Sequence, residues 1–130
     1  RFRTRIRKLF RPGRGQNVKR FIREVLNPVL RGWLQYFGIG AAKQALKTHD
    51  FWLRRHLRCL IWRQWKKPLT RCRKLIKHGC RGAELGLGCT RRGPWWAAGT
   101  PPLFQALPPE YFRELGLFNL LENMLKREQH

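Results

Sequence analysis

The sequence predicts an all-α protein: a helical bundle followed by an irregular Gly- and Pro-rich appendage of short helices. Apolar residues recur at spacings of three and four, which is the period of a helix with one buried face. No run alternates apolar and polar residues with the period of two that a half-buried strand requires. The chain has 130 residues, of which 42% are hydrophobic and six are Trp, so it is long enough to bury a core.

The first 26 residues predict two helices. The apolar face of the first helix comprises Phe2, Ile6, Leu9 and Phe10. Residues 12–15 contain Pro and Gly and are expected to end it, and Asn17 is a suitable N-cap for the second helix. The apolar face of the second helix comprises Val18, Phe21, Ile22, Val25 and Leu26.

A third helix is predicted to begin at Asn27 and Pro28, with Asn27 as its N-cap and Pro28 at the first helical position. Arg31 and Gln35 lie on its polar faces, and the glycines that follow the helix are expected to end it. The apolar face, which we assign to the core rather than to nucleotide stacking, comprises Leu30, Trp33, Leu34 and Phe37.

The middle of the chain predicts a short helix at 41–47 and then a long one, which Thr48 or Asp50 is expected to cap. Pro68 is expected to end the long helix, and 69–77 to form a further basic helix. The core-facing residues of the long helix are Leu53, Leu57, Leu60 and Ile61. The other arc carries Arg54, Arg55, Arg58 and Lys66 together with Phe51, Trp62 and Trp65.

Residues 79–130 have a different composition. The glycine-rich stretch at 79–93 predicts a loop, and Pro-rich turns separate it from one or two final helices. We therefore divide the chain into a basic helical core at 1–78 and a second part at 79–130, a loop plus short helices packing on the same domain. The apolar residues of the final helices are Tyr111, Phe112, Leu115, Leu117, Leu120, Leu121 and Leu125.

The net charge of +22 indicates a polyanionic partner. Residues 1–78 carry 23 Lys and Arg against two acids, whereas residues 79–130 carry six against five, so the partner belongs to the first part. Nucleic acid is the favoured partner. An anionic membrane surface is the alternative, because basic amphipathic helices also bind there, but no stretch approaches the ~20 apolar residues of a membrane-spanning helix.

The residue types argue against catalysis by this chain. Two-metal phosphoryl transfer requires carboxylates in pairs, and Asp50 is the single aspartate. Neither a phosphate-binding loop motif nor a common zinc spacing among Cys72, Cys80, Cys89 and His78 is present. The sequence therefore predicts no catalytic residue, no metal ligand and no cofactor, and favours free thiols in a reducing compartment.

Two motifs of this chain resemble the maturase-specific domain of group II intron reverse transcriptases. The first is Leu26-Asn27-Pro28 followed by Arg31-Gly32-Trp33 and Tyr36-Phe37, and the second is Trp62-Arg63-Gln64-Trp65-Lys66. Further matching positions follow in order at Trp52, Arg54-Arg55, Leu57-Arg58, Thr70-Arg71, Lys74-Leu75, Gly79 and Arg92-Gly93-x-Trp95. The tail from Leu103 to Leu117 is similar to the C-terminal end of the family, so the resemblance covers nearly the whole chain.

The resemblance implies the thumb of a polymerase, a mostly helical bundle that binds group II intron RNA in splicing and intron mobility and grips the template–primer duplex. It implies fingers and palm domains upstream, which would hold the catalytic aspartates and Mg²⁺. We therefore expect a chain that is not catalytic alone, from a bacterial, cytoplasmic RNA-directed DNA polymerase without a membrane partner. The alternative is an unrelated basic helical protein that binds DNA or a membrane surface.

The cations on these helices are the expected RNA contacts, through phosphates and with little readout of base edges. Arg31 and Gln35 face either RNA or the absent palm, and these two interpretations stay open at this point. The predicted RNA-binding residues are Lys19, Arg20, Arg23, Arg31, Arg54, Arg55, Arg58, Trp62, Arg63, Lys66, Lys67, Arg71 and Lys74.

Overall fold

A computed structural model describes residues 1–11 and 17–128, without the side chain of Ile39. The described residues form helices and no strand, so the all-α prediction is confirmed. The α-helices are α1 Phe2–Phe10, α2 Val18–Phe21, α3 Asn27–Phe37, α4 Lys43–Gln64, α5 Pro68–Lys77, α6 Pro94–Ala98, α7 Pro101–Ala106, α8 Pro109–Glu114 and α9 Leu120–Glu128. A π-helical segment spans Ile22–Leu26, and 3₁₀ segments span Gly38–Gly40 and Gly82–Cys89. The predicted break at residues 12–15 lies outside the described residues.

Packing divides the chain into two units. The first consists of the described residues up to Arg54 together with those from Phe112 onward, and the second is Arg55–Tyr111. The predicted division at residue 78 follows charge rather than these contacts, and as a division into domains it stays a prediction. Among the described residues, no helix has the length and apolar character needed to cross a membrane.

Each unit has its own set of buried apolar residues. Most of those in the first unit belong to the predicted apolar faces, whereas in the second unit only Leu57, Leu60 and Ile61 do. In the first unit the buried apolar residues are Phe2, Ile6, Phe21, Ile22, Leu26, Leu30, Leu34, Leu46, Trp52, Leu53, Phe112 and Leu120. In the second unit they are Leu57, Cys59, Leu60, Ile61, Trp62, Trp65, Leu75, Cys80, Ala97, Ala98, Leu103, Ala106 and Leu107.

The chain passes from α2 to α3 without a break, through the π-helical segment. Asn27 has helical backbone angles (φ −58°, ψ −44°), and its N–H donates to the carbonyl of Ile22, five residues back. Pro28 lacks an N–H and its ring crowds the carbonyl four residues earlier, and the wider π-helical turn accommodates both effects. The prediction that Asn27 caps a new helix is therefore wrong.

The Asn27 side chain instead holds the segment that leads into α9. Its Nδ2 donates to the carbonyl of Gly116 at 2.7 Å, and its Oδ1 accepts from the N–H of Phe118 at 2.9 Å. Gly116 adopts φ +94°, a backbone conformation that residues other than glycine rarely adopt. The tight turn at this glycine directs its own carbonyl and the N–H of Phe118 towards the Asn27 carboxamide. Arg23 adds a hydrogen bond from its Nε to the carbonyl of Leu115 at 3.2 Å.

The predicted division of residues 41–64 into two helices is also wrong, because α4 is one helix. The hydroxyl of Thr48 donates to the carbonyl of Gln44, one turn earlier in the same helix. Asp50, which is only 5% exposed, does accept from a helix N-terminus, but the helix is α9. Its two carboxylate oxygens accept from the N–H groups of Leu120 and Leu121 at 2.9 and 3.0 Å.

Burial raises the pKa of Asp50 above its ordinary value. The hydrogen bonds from Leu120 and Leu121 and the charge of nearby Arg54 act in the opposite direction without cancelling the effect. The carboxylate is thus a partly desolvated acceptor, positioned where the partial positive charge of a helix N-terminus lies.

The glycine-rich stretch of the second unit is more regular than the predicted loop. Gly79, with φ +97°, ends α5, and the N–H of Cys80 then donates to the carbonyl of Leu75. The 3₁₀ segment Gly82–Cys89 follows and packs against α5. At Gly88 a Cβ would lie 2.7 Å from the sulfur of Cys72, so this contact requires glycine.

Candidate nucleic-acid interface

The predicted RNA-binding residues differ in how far solvent reaches them. Lys19, Arg20, Arg23 and Arg31 of the first unit are exposed, as are Arg63, Lys66 and Lys67 of the second. Arg54, Arg55, Arg71 and Lys74 are half-buried. Arg58 and Trp62 are buried, at 1% and 0% exposure.

The burial of Arg58 and Trp62 does not agree with direct contact to RNA. The Nε of Arg58 donates to the carbonyl of Leu107 at 2.7 Å, and its guanidinium carbon lies 4.6 Å from the centroid of the Phe104 ring. The helical period placed both residues away from the Leu53 arc. It could not show that Phe104 and Leu107 contact Arg58, or that Arg71 lies over the Trp62 ring. We therefore leave Arg58 and Trp62 out of the candidate interface.

Two of the half-buried arginines also serve the internal structure of the second unit. Arg55 donates from Nη2 to the carbonyl of Trp95 at 2.8 Å, with its guanidinium carbon 4.1 Å from the Trp95 ring centroid. Arg71 donates from Nη2 to the carbonyl of Trp62 at 3.2 Å, and its guanidinium carbon lies 4.5 Å from the centroid of the Trp62 ring. Burial lowers the pKa of Arg71 below its ordinary value.

A group of exposed cations lies where α4 ends and α5 begins. Arg63 is in the last turn of α4, and Lys66 and Lys67 follow before Pro68 starts α5. The sequence contains no acidic residue between Asp50 and Glu84, although this stretch carries eleven Lys and Arg. Among the described residues, no ion pair involves Arg63, Lys66 or Lys67, so the Arg63–Lys67 turn is a cationic surface.

The first unit differs, because two of its exposed predicted cations have partners within the chain. The Nε of Arg20 pairs with the carboxylate of Glu24 at 2.9 Å, with both side chains largely exposed. Arg23 is occupied by the carbonyl of Leu115. An exposed pair of this kind contributes little to stability, so Arg20 can exchange its partner for a phosphate.

A cavity of about 610 Å³ at the N-terminal end of the first unit was not foreseen in the sequence. It is lined by Arg1, Phe2, Arg3, Arg5, Trp33, Phe37 and His49. The ring centroids of Phe2 and Trp33 are 4.9 Å apart at 65°, and those of Trp33 and His49 are 5.6 Å apart at 87°. The sequence has arginines at 1, 3 and 5, but no local pattern indicates that this segment lies against Trp33, Phe37 and His49.

This cavity corrects the assignment of Phe37 to the core. Phe37 is the last residue of α3 and is 52% exposed, whereas Trp33 is half-buried. His49 is also half-buried, and its pKa is lowered by burial and by the charge of Arg3. At neutral pH the cavity therefore combines a neutral aromatic wall with a cationic rim.

A second cavity of the first unit, of about 360 Å³, lies between α3 and the C-terminal segment. It is lined by Arg31, Leu34, Gln35, Phe118, Asn123, Lys126 and Arg127. Arg31 and Gln35, the two polar residues of the Arg-Gly-Trp motif region, thus face a space that α9 helps to enclose.

The thiols have partners of their own in the second unit. The Sγ of Cys72 donates to the carbonyl of Leu85 at 3.3 Å, and that of Cys80 to the carbonyl of Pro102 at 3.5 Å. Burial, with the charge of Glu84, raises the pKa of the Cys80 thiol, which keeps it protonated. Within residues 1–11 and 17–128, no three His, Cys, Asp or Glu side chains are grouped as a metal ion would need.

The comparisons with known proteins give one family. The family model of the group II intron, maturase-specific domain matches residues 1–81. No curated protein matches the chain.

Proposed function

Since this chain belongs to the group II intron maturase-specific domain family, we propose that it binds group II intron RNA and promotes its splicing and mobility. In a longer parent protein, an RNA-directed DNA polymerase, it would serve as the thumb and grip the template–primer. The catalytic aspartates and Mg²⁺ would then belong to an upstream palm, so this chain alone is expected to give only background nucleotide incorporation.

The observation that supports RNA binding best is the exposed Arg63–Lys67 turn in a stretch without acids. Three cations within five residues repel one another unless an anion lies among them. A nucleic-acid backbone provides phosphates at suitable spacing, and their neutralisation releases counterions. Binding should therefore weaken steeply as the salt concentration rises.

The cavity of the first unit favours RNA with unpaired bases over duplex DNA. Its exposed Phe37 ring and half-buried Trp33 ring offer surfaces on which a base can stack, and Arg3 and Arg5 lie at the rim for the adjoining phosphate. Its volume of about 610 Å³ is within the range of about 300–1,000 Å³ of small-ligand sites. A duplex cannot present an extruded base without the cost of unstacking it.

Filter binding tests this proposal with intron RNA, duplex DNA and anionic vesicles, each at several salt concentrations. The triple substitution Arg63→Gln, Lys66→Gln and Lys67→Gln should weaken RNA binding and lower the salt slope by about two to three. A matched control replaces Arg81, Arg91 and Arg92 by Gln, three exposed cations of the same unit outside the Arg63–Lys67 turn, and should have a smaller effect. Equal affinity of the unsubstituted chain for RNA, DNA and vesicles would remove the RNA claim.

A further inference from the structure

The C-terminal helix α9 lies outside the matched residues 1–81 and in the part of the chain with almost no net charge. We propose that α3 and α9 together form a pocket for a backbone phosphate of RNA and its adjoining ribose. This inference rests on the proposed function and adds to it a second source of RNA contacts.

The pocket is the 360 Å³ cavity, and its walls supply donors from both helices. Arg31 and Gln35 come from α3, and Asn123, Lys126 and Arg127 come from α9. Three cations and two carboxamides therefore surround one space. The Nδ2 of Asn123 already donates to the carbonyl of Asn119 at 2.7 Å, which leaves it one further N–H. The other four side chains also have N–H groups that can donate to phosphate oxygens.

An aromatic ring closes one side of this pocket. The guanidinium carbon of Arg31 lies 5.5 Å from the centroid of the Phe118 ring, and Arg127 is tied to the carbonyl of Leu34 by a long hydrogen bond of 3.4 Å. Phe118 thus offers an apolar surface to a ribose beside the phosphate. At about 360 Å³, the space exceeds the ≈ 30 Å³ share of one water many times, so a phosphate and a sugar can enter together.

The pocket is cationic although α9 as a whole has as many acids as cations. The acids of α9 are engaged elsewhere in the first unit: Glu122 pairs with Arg113 at 3.0 Å, and Glu128 pairs with Lys43 at 3.4 Å. None of the described residues that line this space with Lys126 carries a carboxylate. Like charges brought together in this way favour an anion between them.

The pocket is also preorganised, because hydrogen bonds fix the first residues of α9 to the rest of the first unit. Asp50 accepts from the N–H groups of Leu120 and Leu121, and Asn27 binds both Gly116 and Phe118. Two nearly buried polar side chains of the N-terminal half thus position the C-terminal helix. A site whose walls are held before binding loses less entropy when the ligand arrives.

The pocket favours RNA over the palm, the two interpretations that the sequence left open for Arg31 and Gln35. Both side chains face a cavity that the chain itself encloses, and the phosphate proposed here would be their ligand. The RNA-binding surface would then extend past residue 81 to include Asn123, Lys126 and Arg127.

The test measures the affinity of the full chain for in vitro transcribed group II intron RNA. Lys126→Gln and Arg31→Gln should each weaken binding about five- to twentyfold at low salt and lower the salt slope by about one. Lys47→Gln, which removes an exposed lysine of the same unit outside both cavities, is the matched control and should change affinity less than twofold. The double substitution should cost less than the product of the single effects, because both residues bind one phosphate.

Three outcomes decide the inference. Equal effects of Lys126→Gln and Lys47→Gln, with strong binding by the unsubstituted chain, would overturn the pocket and leave the proposed function intact. Strictly multiplicative effects of Lys126→Gln and Arg31→Gln would also overturn it, since the two side chains would then act at separate places. Failure of the unsubstituted chain to bind the RNA at all would overturn the proposed function itself. Circular dichroism confirms that each variant is folded before its affinity is compared.

Discussion

Replacing Asn27 by Asp should destabilise the first unit, although Asp is as good an N-cap residue as Asn. The Asn27 side chain is 4% exposed and makes one donor and one acceptor contact, to Gly116 and Phe118. A carboxylate keeps the acceptor for the Phe118 N–H but has no donor for the Gly116 carbonyl. A residue that only caps a helix would tolerate Asn27→Asp. A clamp, by which we mean a carboxamide that both donates to Gly116 and accepts from Phe118, would not.

The magnitude follows from the lost donor. Leaving the partly buried Gly116 carbonyl without its 2.7 Å partner costs about 1–3 kcal/mol, and oxygen–oxygen repulsion adds to it. The negative charge on a strongly basic chain offsets part of this cost, so we expect a loss of about 2 kcal/mol. For a chain of this size that corresponds to a decrease in Tm of roughly 6–10 °C. Asn27→Ala removes both contacts and should cost about 3 kcal/mol.

Urea and thermal unfolding followed by circular dichroism measure these differences, and hydrogen exchange locates them. In Asn27→Ala the amide of Phe118 should lose protection, while the amides of Leu120 and Leu121, held by Asp50, should keep it. The matched control is Asn17→Asp, because the Asn17 side chain is a true N-cap that only accepts, from the N–H of Arg20 at 3.1 Å. The clamp is refuted if Asn27→Asp is as stable as Asn17→Asp.

Gly88→Ala should destabilise the second unit by about 1–3 kcal/mol, because its Cβ would lie 2.7 Å from the sulfur of Cys72, whereas Gly86→Ala has open space and should be tolerated. Thermal unfolding of the two variants checks this, and equal melting temperatures would contradict it. The free energy of unfolding should be lower at pH 5.5 than at pH 7.5, because burial lowers the pKa of His49 and of His78 in the folded chain. The unfolded chain then binds more protons as the pH passes below about 6.5. Urea unfolding at both pH values measures the difference, and the double substitution His49→Gln and His78→Gln should reduce it.

The sequence was sufficient wherever the determining contacts are local. The period of the apolar residues predicted the helices, and the cap at Asn17 was predictable because its partner is three residues away. The predictions for Asn27, Asp50 and Arg58 were wrong for one shared reason. Their hydrogen-bond partners lie 89, 70 and 49 residues further along the chain, and no local pattern shows which distant turn will supply a carbonyl or an N–H group.

The same limit applies to the candidate interface. The exposed cations of the Arg63–Lys67 turn were predictable, because Pro68 is unfavourable inside a helix, so α4 ends before it and the charged turn faces solvent. The two cavities were not, since each is shared between helices that are far apart in the sequence. The net charge of α9 did not indicate the second cavity. Glu122 and Glu128 equal Lys126 and Arg127 in number, but they pair with Arg113 and Lys43 instead.

The division into units has a consequence for the order in which the chain folds during synthesis. The second unit is one uninterrupted stretch, Arg55–Tyr111, whereas the first is completed only by residues from Phe112 onward. Ribosomes add about 5–20 residues per second, so helices α1 to α3 wait roughly 4–17 s after Phe37 for the segment that Asn27 and Asp50 hold. We expect the later stretch to fold first, and the N-terminal helices to close only when α9 has emerged. A nascent chain stalled before Phe112 would therefore contain a formed second unit and an unfinished first one.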